Sequence, residues 1–238
     1  MIRVSGLSKA FNGQKVLDGL NLDVDTGEIL AVLGPSGTGK SVLLLNLVGL
    51  MAPDSGEVDI DGVQINRLPE RDLLKFRRNV GYLFQDSALY DFMTVEENLA
   101  FPLREHTRLK PAQIRGKVAE FLAMVDMKDA GPKYPAQLSG GMRKRAALAR
   151  AMVTGPKVLL CDEPTSGLDP IRSRDISRLI RTLSKKLGCT TVITTHDVRN
   201  AFLCADRAVV LKAGRVVAEG VEQDLRASTD PFVKEFLE

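Results

Sequence analysis

The sequence predicts an α/β protein built on a parallel sheet, and three observations carry that expectation. Ile29-Leu30-Ala31-Val32-Leu33 is an apolar run that enters a helix, beginning near Gly39, through a glycine-rich loop. Val158-Leu159-Leu160-Cys161 is a second such run and ends in Asp162-Glu163. Tyr82-Leu83-Phe84 and Thr190 to Thr195 are two more, running into Gln85 and His196. Strands apolar on both faces belong to sheets covered on both sides. Ligands of open parallel sheets lie beyond the carboxyl ends of the strands, so these four polar ends should converge on one ligand.

The loop names the ligand's chemistry. Gly34-Pro35-Ser36-Gly37-Thr38-Gly39-Lys40-Ser41 matches the phosphate-binding pattern of a strand turning into a helix. Such a turn aims successive backbone N–H groups into one concavity, and the helix N-terminus adds partial positive charge. Gly34, Gly37 and Gly39 permit the angles and close approach that a Cβ would block. Lys40 is expected on the β- and γ-phosphates and the Ser41 hydroxyl on Mg²⁺. Asp162 would complete the metal's protein ligands, and Glu163 would polarise the attacking water as general base. Gln85 could touch Mg²⁺ or that water, and His196 could donate to the γ-phosphate. His106, the other histidine, has no such setting and reads as a surface residue.

With these motifs in order, the chain resembles an ABC-type ATPase subunit along its whole length. Gly34 to Ser41 matches the Walker A loop, Gln85 the Q-loop, and Asp162 with Glu163 the Walker B pair. Leu138-Ser139-Gly140-Gly141-Met142 matches the signature, Ser166-Gly167-Leu168-Asp169 the D-loop and His196 the switch histidine. Phe11 matches the aromatic that stacks on adenine. The resemblance implies a RecA-like core with an antiparallel β subdomain and an inserted helical subdomain. It also implies ATP and Mg²⁺, and two copies facing head to tail. Each ATP would then lie between the Walker A loop of one copy and the signature, with Ser139, Gly140 and Gly141, of the other, and Asp169 of the D-loop is expected at the nucleotide too. Because Ser139 to Gly141 precede a helical stretch from Arg143 to Ala151, a second helix N-terminus would face the γ-phosphate.

Two places depart from the commonest pattern. Val42 stands where many relatives have a threonine that contacts the α-phosphate, so one hydroxyl is missing from the nucleotide contacts. Met142 stands where glutamine is usual, followed by Arg143-Lys144-Arg145. Both variants, with Pro102-Leu103-Arg104-Glu105-His106-Thr107, resemble the ATPases of MCE-type (Mla-like) lipid transporters. That resemblance implies phospholipid or related hydrophobic cargo, an integral-membrane permease, an MCE-type lipid-binding subunit, and a peripheral place on the cytoplasmic face of the inner membrane. An amino-acid or metal importer subunit and a soluble assembly ATPase, such as an iron–sulfur scaffold ATPase, remain the alternatives. A chromosome or repair ATPase would need a coiled-coil or zinc insertion between the motifs, and a regulator without hydrolysis would be expected to lack Glu163.

Composition fits one domain of 238 residues with a formal net charge of +3, too small to suggest nucleic acid as a partner. Cys161, Cys189 and Cys204 form no Cys-x-x-Cys pair and sit in apolar stretches, which reads as buried reduced thiols. The chain opens straight into an alternating strand, without the pattern of a signal peptide. The most apolar run, Val42 to Ala52, is too short to span a bilayer and is expected as a buried helix. Residues of about 1–85 and 157–238 are expected to form the nucleotide-binding core with its β subdomain, and about 86–156 the helical subdomain. Within the latter, Ile114, Val118, Phe121, Leu122 and Val125 have helical spacing over Pro111 to Met127. Asp169-Pro170 should open a helix that ends at Gly188. The apolar cluster around Leu89, Tyr90, Phe92 and Met93 suggests that the permease docks near residues 86–104, through a helix laid in a groove.

Overall fold

Short turns with both central residues at positive φ organise the β structure. In the computed structural model, which describes residues 1–238, β1 (Ile2–Phe11) and β2 (Gln14–Val24) meet at Asn12-Gly13, with φ of 51° and 80°. β4 (Ser55–Ile60) and β5 (Val63–Gln64) meet the same way at Asp61-Gly62, with φ of 51° and 81°. Asn-Gly and Asp-Gly tolerate the left-handed conformation that such two-residue hairpins require. These four strands form an antiparallel sheet in the order β2-β1-β4-β5.

The second sheet has six strands in the order β10-β9-β3-β8-β7-β6. β3 (Ile29–Leu33), β6 (Val80–Leu83), β7 (Val158–Asp162), β8 (Thr190–Thr195) and β9 (Arg207–Lys212) run parallel, and β10 (Arg215–Gly220) pairs antiparallel to β9 at the edge. Every residue of β3, β7 and β8 is buried. Register settles what lies above them. Leu33 pairs with Thr195, Asp162 with Thr194 and Leu83 with Cys161, so the residues that follow these strands emerge along one edge.

Alternation along β7 shows how the two faces are covered. Val158 and Leu160 pack with the leucines of α1 (Lys40–Leu47) and with the antiparallel sheet. Leu159 and Cys161 face α5 (Gly140–Met152) and α6 (Pro170–Leu187). That second cluster continues without a break into α3 (Val95–His106) and α4 (Pro111–Met124), so the helical segment and the sheet share apolar packing. A third cluster joins β3 and β9 to α7 (Val198–Cys204), α8 (Glu222–Arg226) and α9 (Pro231–Leu237).

Helix ends follow local chemistry. Thr94 and Glu97 form a reciprocal capping box at the start of α3. Asp169 caps α6 with Pro170 at its first position, and Gly188 closes it in the left-handed conformation, as expected. α4 stops at Met124, three residues short of the expected Met127, because Asp126 turns left-handed at φ 56°. The run from Val42 is helical and buried only as far as its cap at Val48. Gly49 then reverses the chain at φ 67°, and Leu50 is 54% exposed, so the expectation of a buried helix reaching Ala52 is corrected. No helix is long and apolar enough to cross a membrane.

All three cysteines are buried and free. Burial pushes the Cys189 thiol up to about 11 and Cys204 up to about 12. It also raises Cys161 well above the usual thiol range, with the two neighbouring cysteines adding to the effect. Gly81 on β6 marks a close approach of sheet and helix, since a Cβ there would lie 2.4 Å from the Ala151 carbonyl oxygen on α5. Backbone cannot yield to that contact as a side chain could. Gly81→Ala should therefore lower the free energy of unfolding by about 2 kcal/mol. Urea denaturation checks this, and an unchanged midpoint would mean that α5 gives way without cost.

Candidate nucleotide site

The edge where β3, β6, β7 and β8 end opens into a cleft of about 380 Å³. Phe11, Ser36, Gly37, Gly39, Lys40, Ser41, Val42, Gln85, Glu163 and His196 all line it. The four polar strand ends thus converge as their register dictates. Gly39 caps α1 at φ 98°, and a Cβ on it would meet the Val16 carbonyl oxygen at 2.8 Å. Conformation and space both demand glycine at this point, and the loop curls tightly over α1 in consequence.

Charge is concentrated at the floor of the cleft. Lys40, only 6% exposed, donates from Nζ to the carbonyl oxygens of Gly34 (2.8 Å) and Pro35 (3.0 Å) and lies 3.4 Å from Glu163 Oε1. The other carboxylate oxygen of Glu163 is 3.0 Å from His196 Nδ1. The carboxylate therefore sits between a cation and an imidazole, in a residue held at φ 44°. A left-handed glutamate is uncommon and costs on the order of 1 kcal/mol, so its surroundings must fix it there.

Beside this group, the Ser41 hydroxyl donates to Asp162 Oδ1 at 3.0 Å, and Thr194 Oγ1 donates to the same oxygen at 2.7 Å. A hydroxyl and a carboxylate oxygen this close form a hard-oxygen donor pair that suits Mg²⁺. That ion takes few carboxylates, one or two, and fills most other positions with phosphate oxygens and water. Gln85 reaches across the mouth, with Nε2 3.5 Å from Ser166 Oγ.

The signature lies apart from this cleft. Ser139 caps α5 by accepting from the Met142 N–H at 3.3 Å, and with Gly141 and Met142 it borders a separate recess facing Arg172 and Asp175 of α6. Asp169 accepts from the backbone N–H groups of Arg172 and Ile171, which hold its carboxyl below the usual range. Ser139, Gly140, Gly141 and Asp169 are thus near one another but outside the cleft, as a half-site offered to another molecule would be.

Four residues of the site lie beyond those the sequence motifs assign to it. Val16 on β2 and Ser166 line the cleft, Thr194 supports Asp162, and Lys144 approaches from below. Ser166 lies inside the D-loop match, and the polar threonines of β8 signal that strand's end. Val16 carries no local signal, and the basic stretch Arg143-Lys144-Arg145 does not mark Lys144 as part of this site.

The sequence profile of the family described as "ABC transporter" matches residues 17–166. The chain belongs to the ABC transporter family. It accordingly acts as an ATPase, with ATP as its nucleotide and Mg²⁺ as the family's metal. Across 236 residues it is 43% identical to a probable ribonucleotide transport ATP-binding protein of Mycobacterium leprae, covering 99% of this chain and 68% of that one. It is also 43% identical to a methionine import ATP-binding protein of Carboxydothermus hydrogenoformans, over 100% of this chain and 71% of the relative. An intermembrane phospholipid transport system ATP-binding protein of Escherichia coli is 41% identical, over 94% and 83%. Among solved structures, a dimeric ATP-binding cassette bound to ADP and Pi in a post-hydrolysis state superposes with a TM-score of 0.86. It is 33% identical and covers 93% of this ABC ATPase and 98% of its own chain.

Proposed function

We propose that this ABC ATPase drives a membrane transporter for phospholipid or a related hydrophobic cargo by closing and opening a head-to-tail dimer. The observation that carries the catalytic half is the Glu163 carboxylate, held by Lys40 and His196 next to the Ser41–Asp162 oxygen pair. On nucleotide binding, Lys40 exchanges its loop carbonyl partners for phosphate oxygens. The loop N–H groups and the start of α1 bind the same anion, and Phe11 stacks on the adenine. Ser41, Asp162 and Gln85 would hold Mg²⁺, which would supply neutralisation of the charge on the phosphates. Glu163 accepts the proton of the attacking water, and His196 orients it and donates to the γ-phosphate. Ser139, whose oxygen accepts from Met142, keeps its hydroxyl proton free to donate to the nucleotide of a second copy. Completion of both half-sites by ATP would favour the closed dimer, and hydrolysis would remove that preference.

The names of the relatives span three cargos, so the lipid reading rests on local sequence. It is supported by Val42, by Met142-Arg143-Lys144-Arg145 and by the stretch Pro102 to Thr107. Mass spectrometry of what the tagged chain carries out of detergent-solubilised native membranes tests it. A polytopic permease with an MCE-type subunit and bound phospholipid is the expected result. A soluble scaffold without lipid would keep the ATPase and move its role to assembly, whereas a permease with an amino-acid-binding partner would replace the cargo.

Permease docking is proposed near residues 86–104. There Phe92 is 75% exposed beside Tyr90, their ring centroids 5.8 Å apart, while Leu89 is half-buried against the core. Exposed aromatics at an interface centre commonly contribute 2 kcal/mol or more, so Phe92→Asp should weaken permease binding by roughly thirtyfold. Co-purification of the folded variant at native levels would place the docking surface elsewhere. Leu89→Asp is the companion variant, read alongside a thermal melt because Leu89 also packs inward.

A further inference from the structure

Lys144 is a buried cation that no step above uses. It projects from the second turn of α5, is 5% exposed, and directs its ammonium at two backbone carbonyls. One is Gln85 O, with which it forms a close hydrogen bond, and the other is Glu163 O at 3.5 Å. Both carbonyls belong to residues whose side chains line the cleft. Six residues along the same helix, Arg150 donates to Ala88 O at 2.7 Å and to Ser87 O at 3.2 Å. Ser87 and Ala88 have φ of 67° and 48°, and Glu163 has 44°. Three non-glycine residues in the left-handed region therefore belong to the two backbone segments that these cations hold.

We propose that Lys144 is a positioning residue for hydrolysis, tying the backbone of Glu163 to that of Gln85 and both to the signature helix. Burying an ammonium is costly unless its donors are met, and the carbonyls at Gln85 and Glu163 meet two of three. With that bridge in place Glu163 keeps its strained backbone, and so its carboxylate stays between Lys40 and His196. Because the cation is carried by α5, the helix that begins at Ser139, displacement of that helix is felt at the general base. Arg150 fixes Ser87 and Ala88 of the same loop, leaving Gln85 as the link between the docking segment and Glu163. Burial works against this one ammonium and the carboxylates of Asp86, Glu163 and Asp162 favour it, and no other lysine contacts both carbonyls.

This inference rests on Glu163 as the base, and the experiment separates the two. Steady-state ATPase rates, nucleotide affinity and melting temperature are measured on the full chain for Lys144→Met, Lys144→Gln, Glu163→Gln and the Lys144→Met/Glu163→Gln double variant. Lys144→Met should lower kcat about tenfold, with KM for Mg–ATP within twofold of native, since it disturbs the base and not phosphate binding. Lys144→Gln, one bond shorter and able to reach a single carbonyl, should fall between. Single-turnover rates of the double variant should lie within twofold of Glu163→Gln alone, because a group that acts through Glu163 has nothing left to position. A merely structural lysine would instead lower the melting temperature and multiply its defect onto Glu163→Gln. That result, or a native kcat in folded Lys144→Met, overturns the proposal. If Lys144→Met does not fold, Lys144→Gln decides: kcat at least threefold down at native KM supports positioning, and native kcat refutes it. Native turnover in Glu163→Gln would sink the general-base reading itself.

Discussion

In the Glu163→Gln variant, ATP hydrolysis is expected to fall at least about a hundredfold while ATP binding persists. Glutamine keeps the shape of the side chain and can still hydrogen-bond His196, whose Nδ1 lies 3.0 Å from the native carboxylate. What it loses is basicity, and with it a place for the proton of the attacking water. It also removes the negative charge 3.4 Å from Lys40, which leaves that cation freer to face phosphate. Affinity for ATP should thus be unchanged or tighter, and the ATP-bound protein should accumulate as a dimer. Size-exclusion chromatography with and without Mg–ATP, alongside phosphate release, reads both effects. Near-native phosphate release would remove Glu163 from the role of base, and a monomer at saturating ATP would argue against the sandwich.

Lys40→Ala should act on the opposite quantity. Its Nζ belongs to the one lysine that lines the cleft, and its present partners are two loop carbonyls and a carboxylate. A charged hydrogen bond to phosphate contributes up to about 3 kcal/mol, so nucleotide affinity should drop on the order of a hundredfold. The loop carbonyls it abandons lie beside an open cleft and can take water, so the fold should survive with little change in melting temperature. Titration with a fluorescent ATP analogue checks the affinity. Binding within threefold of native would mean that the backbone N–H groups alone hold the phosphates.

Much of this site could be read from sequence because its chemistry is written in short, contiguous pieces. The run Ile29 to Leu33 followed by Gly34 to Ser41 specifies a buried strand, a turn and a helix start within a dozen residues, and no distant partner is needed to recognise it. The ends of β6, β7 and β8 were readable for the same reason, since a polar residue capping an apolar strand is a local anomaly. Long-range facts were not readable. Val16 reaches the cleft only because β1 and β2 fold over the loop, where its carbonyl lies against Gly39. Lys144 stands between two arginines in a helix that looks solvent-facing by composition, and only the stacking of α5 beneath Gln85 and Glu163 makes it a buried cation. The end of the helix after the phosphate loop is hidden from sequence because apolar content outlasts helical geometry there. Gly49 stops the helix although Leu50 and Met51 are as apolar as the residues before it.

The three cysteines have a practical consequence. Sealed in the core and held in the thiol form, they offer maleimides nothing to react with while the protein is folded. The natural sequence is therefore already a silent background for labelling. One cysteine introduced at the rim of the phosphate loop and another beside Ser139 would be the sole reactive thiols. A disulfide joining them between two molecules, formed with ATP and absent without it, would record the assembled state as a covalent band on a gel.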